Sequence, residues 1–466
     1  MCTTGENSSE DTLKAVKVIS KEKTVDILTT SLRSSIVIVL TLSISFVFYS
    51  TLHTTTRPAF FGWPELPDPA LYMVQLNSDQ YPTNISHIAF GIGGSTQTLE
   101  RRGEYLDLWW KPNMTRGFVF LEKNPTPRIR FKIHHRVSSD WRRFKHSAGS
   151  ESSVRIARVV VDLFRVGLPN VRWFVMGDDD TVFFPDNLVT VLAKYDHRKM
   201  VYVGGNSESV EQNVLHAYDM AFGGGGFAIS YPLAAQLVTK MDGCLNRYQY
   251  FYGSDQRVWA CVGELGVGLT REPGFHQIDI RGNPFGVLAA HPLAPLVSLH
   301  HLDYVEPLFT NQTQLDSLRA LMEAYDLDPS RTLQQCFCYH HRNRWSVSIA
   351  WGYTVQIYPT LLTARELETP LLTFRTWRSW NEGPFTFNTR PLSSDPCKNP
   401  VVFYLNSAKK GPANETVSSY IKFVKKPVKN CNRHYARATA INKIIVSVPK
   451  MDPHDWKQAT ETMLRD

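Results

Sequence analysis

The sequence predicts an α/β domain over residues 83–330, preceded by one transmembrane helix and followed by a β-rich region over residues 331–466. Three observations carry that expectation. Between residues 83 and 330, short apolar runs alternate with stretches of helical spacing, the pattern of a sheet layered with helices. After residue 330 the runs Trp345–Ile357, Val401–Leu405 and Ile444–Val448 read as strands, with few convincing helices between them. From Ile36 to Leu52 the chain reads IVIVLTLSISFVFYSTL without a single charge. At 466 residues there is room for two to three domains around a sizeable core.

Within the α/β part, His87–Ile92 and Gly117–Glu122 are predicted strands, with Arg128–Ile133 a third. Val154–Val166 carries apolar residues at helical spacing, and Gly167 and Pro169 end it. Val171–Met176 is an apolar strand that runs straight into the sequence GDDDTVFF. A helix over Asp186–Lys194 and a strand over Met200–Val203 follow. The stretch AFGGGGFAIS reads as a strand with an entrance free of side chains. Helices are expected near Tyr231–Met241 and Asp255–Leu265, and a strand over Leu296–Leu299 ends at His300 and His301. The lone GIGG at Gly91–Gly94 lacks the dinucleotide fingerprint, which argues against an NAD enzyme.

With Ser34 and Ser35 the apolar segment reaches about nineteen residues, near the minimum that crosses a bilayer. A long polar stretch precedes it, so it reads as an uncleaved anchor and not a signal peptide. Lys14, Lys17, Lys21, Lys23 and Arg33 come before it, and the next Lys or Arg is Arg57. The positive-inside rule then makes residues 1–33 a cytosolic tail, residues 34–52 the anchor and everything beyond lumenal. Residues 53–82 hold five prolines without periodicity and read as a stem. Glycosylation sequons at Asn84, Asn113, Asn311 and Asn414 lie on the lumenal side. Cys2 precedes the anchor and six cysteines follow it, an even number that suits disulfides in an oxidising compartment. Their pairing is open, with buried free thiols the alternative. The net charge of +8 comes without any run of five basic residues, which argues for attraction to anionic substrates and against nucleic acid.

Three adjacent carboxylates, Asp178, Asp179 and Asp180, repel one another and need a counter-charge when placed at the end of a buried strand. A divalent cation is the simplest one, and hard oxygens suit Mg²⁺ or Mn²⁺. An exposed acidic turn is the plainer alternative. Arg101 and Arg102 are candidates either to neutralise a diphosphate or to cap a helix.

WFVMGDDDTVFF resembles the metal-binding segment of Fringe and related β-1,3-glycosyltransferases of glycosyltransferase family 31. From Asp178 to Asp303 the chain resembles the plant branch of Fringe-related proteins, with GGNSESVEQN, AFGGGGFAIS, FYGSDQRV, GFHQIDIRGNP and SLHHLD in the same order. The resemblance implies a GT-A fold, a Rossmann-like mixed sheet that presents a donor at strand carboxyl ends. It implies an inverting, metal-dependent transfer of a hexose or N-acetylhexosamine from a UDP-sugar to a glycan or glycoprotein acceptor in the Golgi lumen. Asp178, Asp180 and His300 would hold Mn²⁺, or Mg²⁺ in its place, with His301 the neighbour that could take the role of His300. Asp179, Gly224 and Gly225 would lie against the donor, and Asp255 would be the catalytic base. A helix N-cap is the structural alternative for Asp255. Fringe proteins carry an acidic residue where this chain has Ser254, so animal Fringe substrates do not transfer. A membrane-anchored carbohydrate-binding or pseudoenzyme scaffold, or a lumenal calcium-binding protein, would fit the same topology.

Overall fold

The computed structural model describes residues 34, 36–45, 82–126, 132–145, 148–423, 430–453 and 455–456. The chain divides into two units, Met1–Gln80 and Tyr81–Asp466. In the first unit residues 36–45 are helical, with Ile36, Val37, Ile38, Val39, Leu40, Leu42 and Ile44 exposed. Among the described residues no helix is long and apolar enough to cross a membrane. The rest of the expected anchor, the cytosolic tail and nearly all of the stem lie outside the described residues.

The second unit is a mixed α/β structure built on a seven-stranded sheet. Its strands are β1 (Ile88–Gly93), β2 (Gly117–Leu121), β3 (His135–Val137), β4 (Trp173–Asp178), β6 (Tyr202–Gly204), β7 (Phe227–Ser230) and β8 (Leu269–Arg271), with the two-residue β5 (Val182–Phe183) in a separate small sheet. Their order is β3-β2-β1-β4-β7-β6-β8. All pairings are parallel except those of β7, which runs against both β4 and β6. A continuous apolar run is what a strand covered on both faces requires. In β4, Trp173 and Val175 enter one core while Phe174 and Met176 enter the other.

Helices cover both faces. The helix α1 (Thr96–Trp109) starts at a Ser95–Thr98 capping box and buries Leu99, Tyr105, Leu106 and Trp109. On the other face lie α2 (Glu151–Ala157) and α3 (Val159–Arg165). The sequence predicted a single helix here. The chain breaks at Arg158, where the β-branched run Val159–Val161 begins and the buried guanidinium turns to Asp242 and Ser139. Further along come α4 (Pro185–Leu192), α5 (Val210–Leu215), α6 (Tyr231–Arg247) and α7 (Ser254–Glu264). Cys244 and Cys261 join α6 to α7 by a disulfide across seventeen residues of sequence. A second disulfide links Cys397 to Cys431, while Cys336 and Cys338 are free and exposed.

The third strand is His135–Val137, and not the expected Arg128–Ile133, whose residues 128–131 lie outside the described ones. The expected single strand Trp345–Ile357 is a hairpin, because Gly352 takes a left-handed backbone (φ +78°) that reverses the chain. Beyond β8 come β9 (Phe275–His276), β10 (Ile280–Gly282) and β11 (Ser298–Leu299). The C-terminal sheet is antiparallel, in the order β12 (Gln335–His340), β13 (Trp345–Ala350), β14 (Thr354–Tyr358), β16 (Val401–Lys410), β17 (Glu415–Lys422) and β18 (Lys443–Pro449). The remaining strand, β15 (Phe374–Thr376), leaves that sheet and pairs antiparallel with β10. The β-rich region therefore belongs to the same compact unit as the α/β sheet.

The α6–α7 disulfide closes a short loop that contains Asp255. Replacing Cys244 and Cys261 by alanine together is expected to cost about 2–4 kcal/mol of stability, measurable by denaturant unfolding with and without reductant on the parent chain.

Candidate metal centre and base

The acidic turn sits where β4 ends. The register of β1 on β4 sets Gly93 beside Asp178, so the first carboxylate emerges at the carboxyl edge of the parallel strands. Thr181 closes the turn: its Oγ1 accepts from the Asp178 amide at 2.8 Å and donates to the Gly224 carbonyl at 2.7 Å. The indole of Trp109 donates to the Thr181 carbonyl at 3.1 Å. The following β5 pairs antiparallel with β11, Phe183 against Ser298 and Val182 against Leu299. Continuing that register by one residue brings His300 opposite Thr181, next to Asp180.

The result is a triad. His300 Nε2 lies 3.1 Å from Asp180 Oδ1 and 4.0 Å from Asp178 Oδ2. One donor atom from each of Asp178, Asp180 and His300 falls within 4.8 Å of the others. Neighbouring donors around a six-coordinate Mg²⁺ or Mn²⁺ stand about 3 Å apart and opposite ones about 4 Å, so a small inward shift closes the triad on such an ion. Two carboxylates and an imidazole are the right donors for it. Asp178 is the open member, its side chain 34% exposed, while Asp180 and His300 are buried.

Asp179 points elsewhere. Its carboxylate accepts from Thr98 on α1 and from Arg102 Nη1, the latter at 3.2 Å. The Arg102 guanidinium also lies 3.0 Å from Asp180 Oδ2 and 3.4 Å from Asp303 Oδ2. Of the two arginines the sequence singled out, Arg102 is the one in the site, and it is engaged by three carboxylates. Tyr105, one turn further along α1, donates to Asp303 at 2.5 Å. Thr98 and Asp303 were missed as site residues, and only the α1 helical spacing of Thr98, Arg102 and Tyr105 hinted at a shared face.

Electrostatics make the demand for positive charge explicit. Burial, with His300 opposing and Asp180, Asp179 and Asp255 adding, pushes the Asp178 carboxyl up to about 7. Burial likewise raises Asp179, against the pull of Thr98 and Arg102. Burial would raise Asp180 too, but His300 and Arg102 outweigh it and hold the group well below the usual carboxylate range. Burial disfavours a charged His300, yet Asp180 and Asp178 raise its pKa above the ordinary imidazole value. Four clustered carboxylates, counting Asp303, thus meet one arginine and one histidine.

His301 does not enter the triad. It takes a left-handed backbone (φ 52°) that turns its ring to Asp279, 2.8 Å from Nδ1 to Oδ1. Its ring packs on His300 with centroids 4.0 Å apart.

The glycine turn Gly223–Gly226 joins the pieces. The Gly223 amide donates to Asp255 Oδ2 at 3.2 Å, and the Gly225 amide donates to Gln277 Oε1 at 2.6 Å. A Cβ on Gly224 would stand 2.0 Å from His300 Cε1. The close approach that glycine permits at this position is that of the His300 ring. Asp255 is the second residue of α7, whose N-cap is Gly253, so the N-cap alternative for Asp255 does not hold. The buried Arg257 braces the preceding loop through the carbonyls of Gln249, Tyr252 and Gly253 and ties it to the carbonyl of Ala148. Gly93, Asp178, Gly223, Ser254 and Asp255 line one cleft.

A mixed α/β sheet with an Asp-x-Asp turn at a strand end and a histidine from an adjoining strand defines a candidate divalent-cation protein of the α/β class. Residues 212–464, more than half of the chain, match the family described as "Protein of unknown function, DUF604", and the chain belongs to that family. The matched region takes in Asp255, His300 and the whole β-rich part, while the acidic turn precedes it. No curated protein matches the chain.

Two outcomes test the centre. Gly224→Ala should weaken Mn²⁺ binding at least about tenfold by displacing His300, with the fold retained, as read by electron paramagnetic resonance titration. Arg102→Met should lower stability by about 3–5 kcal/mol, because buried carboxylates lose their partner. Added Mn²⁺ should recover part of that loss in thermal unfolding.

Proposed function

We propose that the chain is a metal-dependent, inverting glycosyltransferase that moves a hexose or N-acetylhexosamine from a UDP-sugar to a glycan or glycoprotein. The observation that carries this reading is the single glycine turn linking two functional groups, with Gly223 on Asp255 and Gly224 against His300. A donor diphosphate held through a divalent cation on Asp178, Asp180 and His300 would leave its sugar near that turn and near a carboxylate able to act on an acceptor. Resemblance of the Asp178–Asp303 motifs to Fringe-related family 31 enzymes and the carboxyl-edge position of the acidic turn support it.

A bound Mn²⁺ or Mg²⁺ would supply Lewis-acid stabilisation of the charge that forms on the leaving diphosphate. Asp178, Asp180 and His300 would hold it, and Arg102 keeps the carboxylates in register from behind. Asp255 takes the proton of the acceptor hydroxyl as that oxygen bonds to the anomeric carbon from the face opposite the diphosphate. The bond from that carbon to the phosphate oxygen breaks, its electron pair leaves with UDP, and the new linkage is inverted. The Gly223 amide fixes Asp255 for the attack.

We place the reaction in the Golgi lumen, with the apolar segment near residues 34–52 as a type II anchor. The four sequon asparagines, Asn84, Asn113, Asn311 and Asn414, are all exposed, and both disulfides suit that compartment.

A UDP-sugar panel with Mn²⁺ tests the activity; absence of both turnover and UDP binding would refute it. Asp255→Asn should bind UDP and Mn²⁺ as the parent does while losing at least about a hundredfold in turnover. Asp180→Ala should lose UDP binding itself.

A further inference from the structure

Behind His301 the ring stack continues. Trp377, from the β-rich region, lies flat on His301 with centroids 4.4 Å apart and planes within 4°. The Arg281 guanidinium covers the other face of Trp377 at 3.9 Å. The same guanidinium lies 4.9 Å from the Tyr304 ring and 5.7 Å from the Trp380 ring. Three aromatic faces thus surround one cation.

Among the described residues Arg281 carries its charge without an ion pair. Its Nε donates to the Trp377 carbonyl at 3.3 Å, and among the described residues no carboxylate lies within ion-pair distance of it. Directly across the β10–β15 pair stands Arg375, whose partner is the exposed Glu382 at 3.0 Å. Like charges directly opposite one another in an antiparallel pair cost stability, and among the described residues Glu382 pairs only with Arg375. Arg378, also exposed, belongs to the same turn.

That turn is built to present a ring. Trp380 is 60% exposed and takes a left-handed backbone (φ 57°). Thr376 Oγ1 holds the turn from within, accepting from the Asn381 amide at 2.9 Å. Glu211 on α5 holds it from outside, accepting from the Arg378 amide at 3.2 Å and from the Ser379 hydroxyl. Left-handed, doubly braced backbone holds this exposed indole beside Arg281.

We propose that Arg281, Trp380 and Tyr304 form an acceptor subsite for an acidic sugar, a hexuronic acid residue of the glycan that receives the transferred unit. The Nη edge of Arg281 pairs with the carboxylate as a fork, and the free indole face of Trp380 stacks on the pyranose ring. Contacts of 4.0, 4.4 and 3.9 Å connect His300 through His301 and Trp377 to Arg281, which ties the subsite to the triad by one continuous ring stack. This assignment rests on the glycosyl-transfer reading for its role, while binding itself can be measured apart from it.

The test uses the full chain in detergent and titrates a trisaccharide bearing a hexuronic acid against its carboxyl-reduced neutral counterpart, by calorimetry and tryptophan fluorescence. The acidic form should bind at least about tenfold tighter. Arg281→Met should erase that preference, Arg281→Lys should reduce it, and the surface change Trp380→Ala should weaken both forms. Equal affinities, no binding of either, or a preference that survives Arg281→Met would overturn the subsite. Loss of Mn²⁺-dependent UDP binding in Trp380→Ala would overturn it as well, by assigning the ring to the donor. Acidic-sugar binding without turnover of any UDP-sugar would refute the transferase reading alone, and turnover without acid preference would refute the subsite alone.

Discussion

Three successive aspartates at the end of a buried strand set the constraint from which the centre of this molecule follows. Asp179 and Asp180 are almost wholly buried, and carboxylates so placed must be paired, protonated or bound to a cation. The chain divides the task by direction. Asp179 turns to α1, where Thr98 and Arg102 receive it. Asp180 lies between Arg102 and His300, while Asp178 stays open to the cleft. Burial raises the Asp178 carboxyl while His300 and Arg102 lower that of Asp180, so two carboxylates of one turn sit in opposite electrostatic environments.

Every neighbouring element is shaped by that arrangement. β5 exists to carry the chain away from the turn in pairing with β11, which delivers His300. Gly224 lacks a side chain because the His300 ring occupies the space. The left-handed His301 turns a second imidazole away from the triad and into a ring stack that the β-rich region completes with Trp377. The β-rich region expected over residues 331–466 thereby packs against the neighbour of the candidate centre through the turn that follows β15.

Much of this was legible beforehand because its causes are local. Apolar runs announced β1, β2, β4 and β7, and helical spacing announced α4 and α7 closely but ended α6 at Met241, short of Arg247. Asp178 and Asp180 were singled out from the acidic run, and His300 and Asp255 from motif resemblance; the structure groups Asp178, Asp180 and His300, and sets Asp178 and Asp255 along one cleft. Other features were invisible for equally physical reasons. A helix interrupted at Arg158 keeps its hydrophobic periodicity on both sides, so spacing alone does not mark the break. Arg102 could not be told from Arg101 without knowing which face of α1 meets the turn. Neither periodicity nor motif connects Trp377 to His301 across seventy-odd positions.

The sequence by itself determined the alternation of strands and helices, the acidic turn after a buried strand and the glycine run, because each depends on neighbours within a few residues. Tertiary structure alone decided which histidine joins the aspartates, which arginine balances them and that the β-rich region reaches the site. Those outcomes depend on strand register and on charges brought together across the fold, where one residue's shift exchanges His300 for His301.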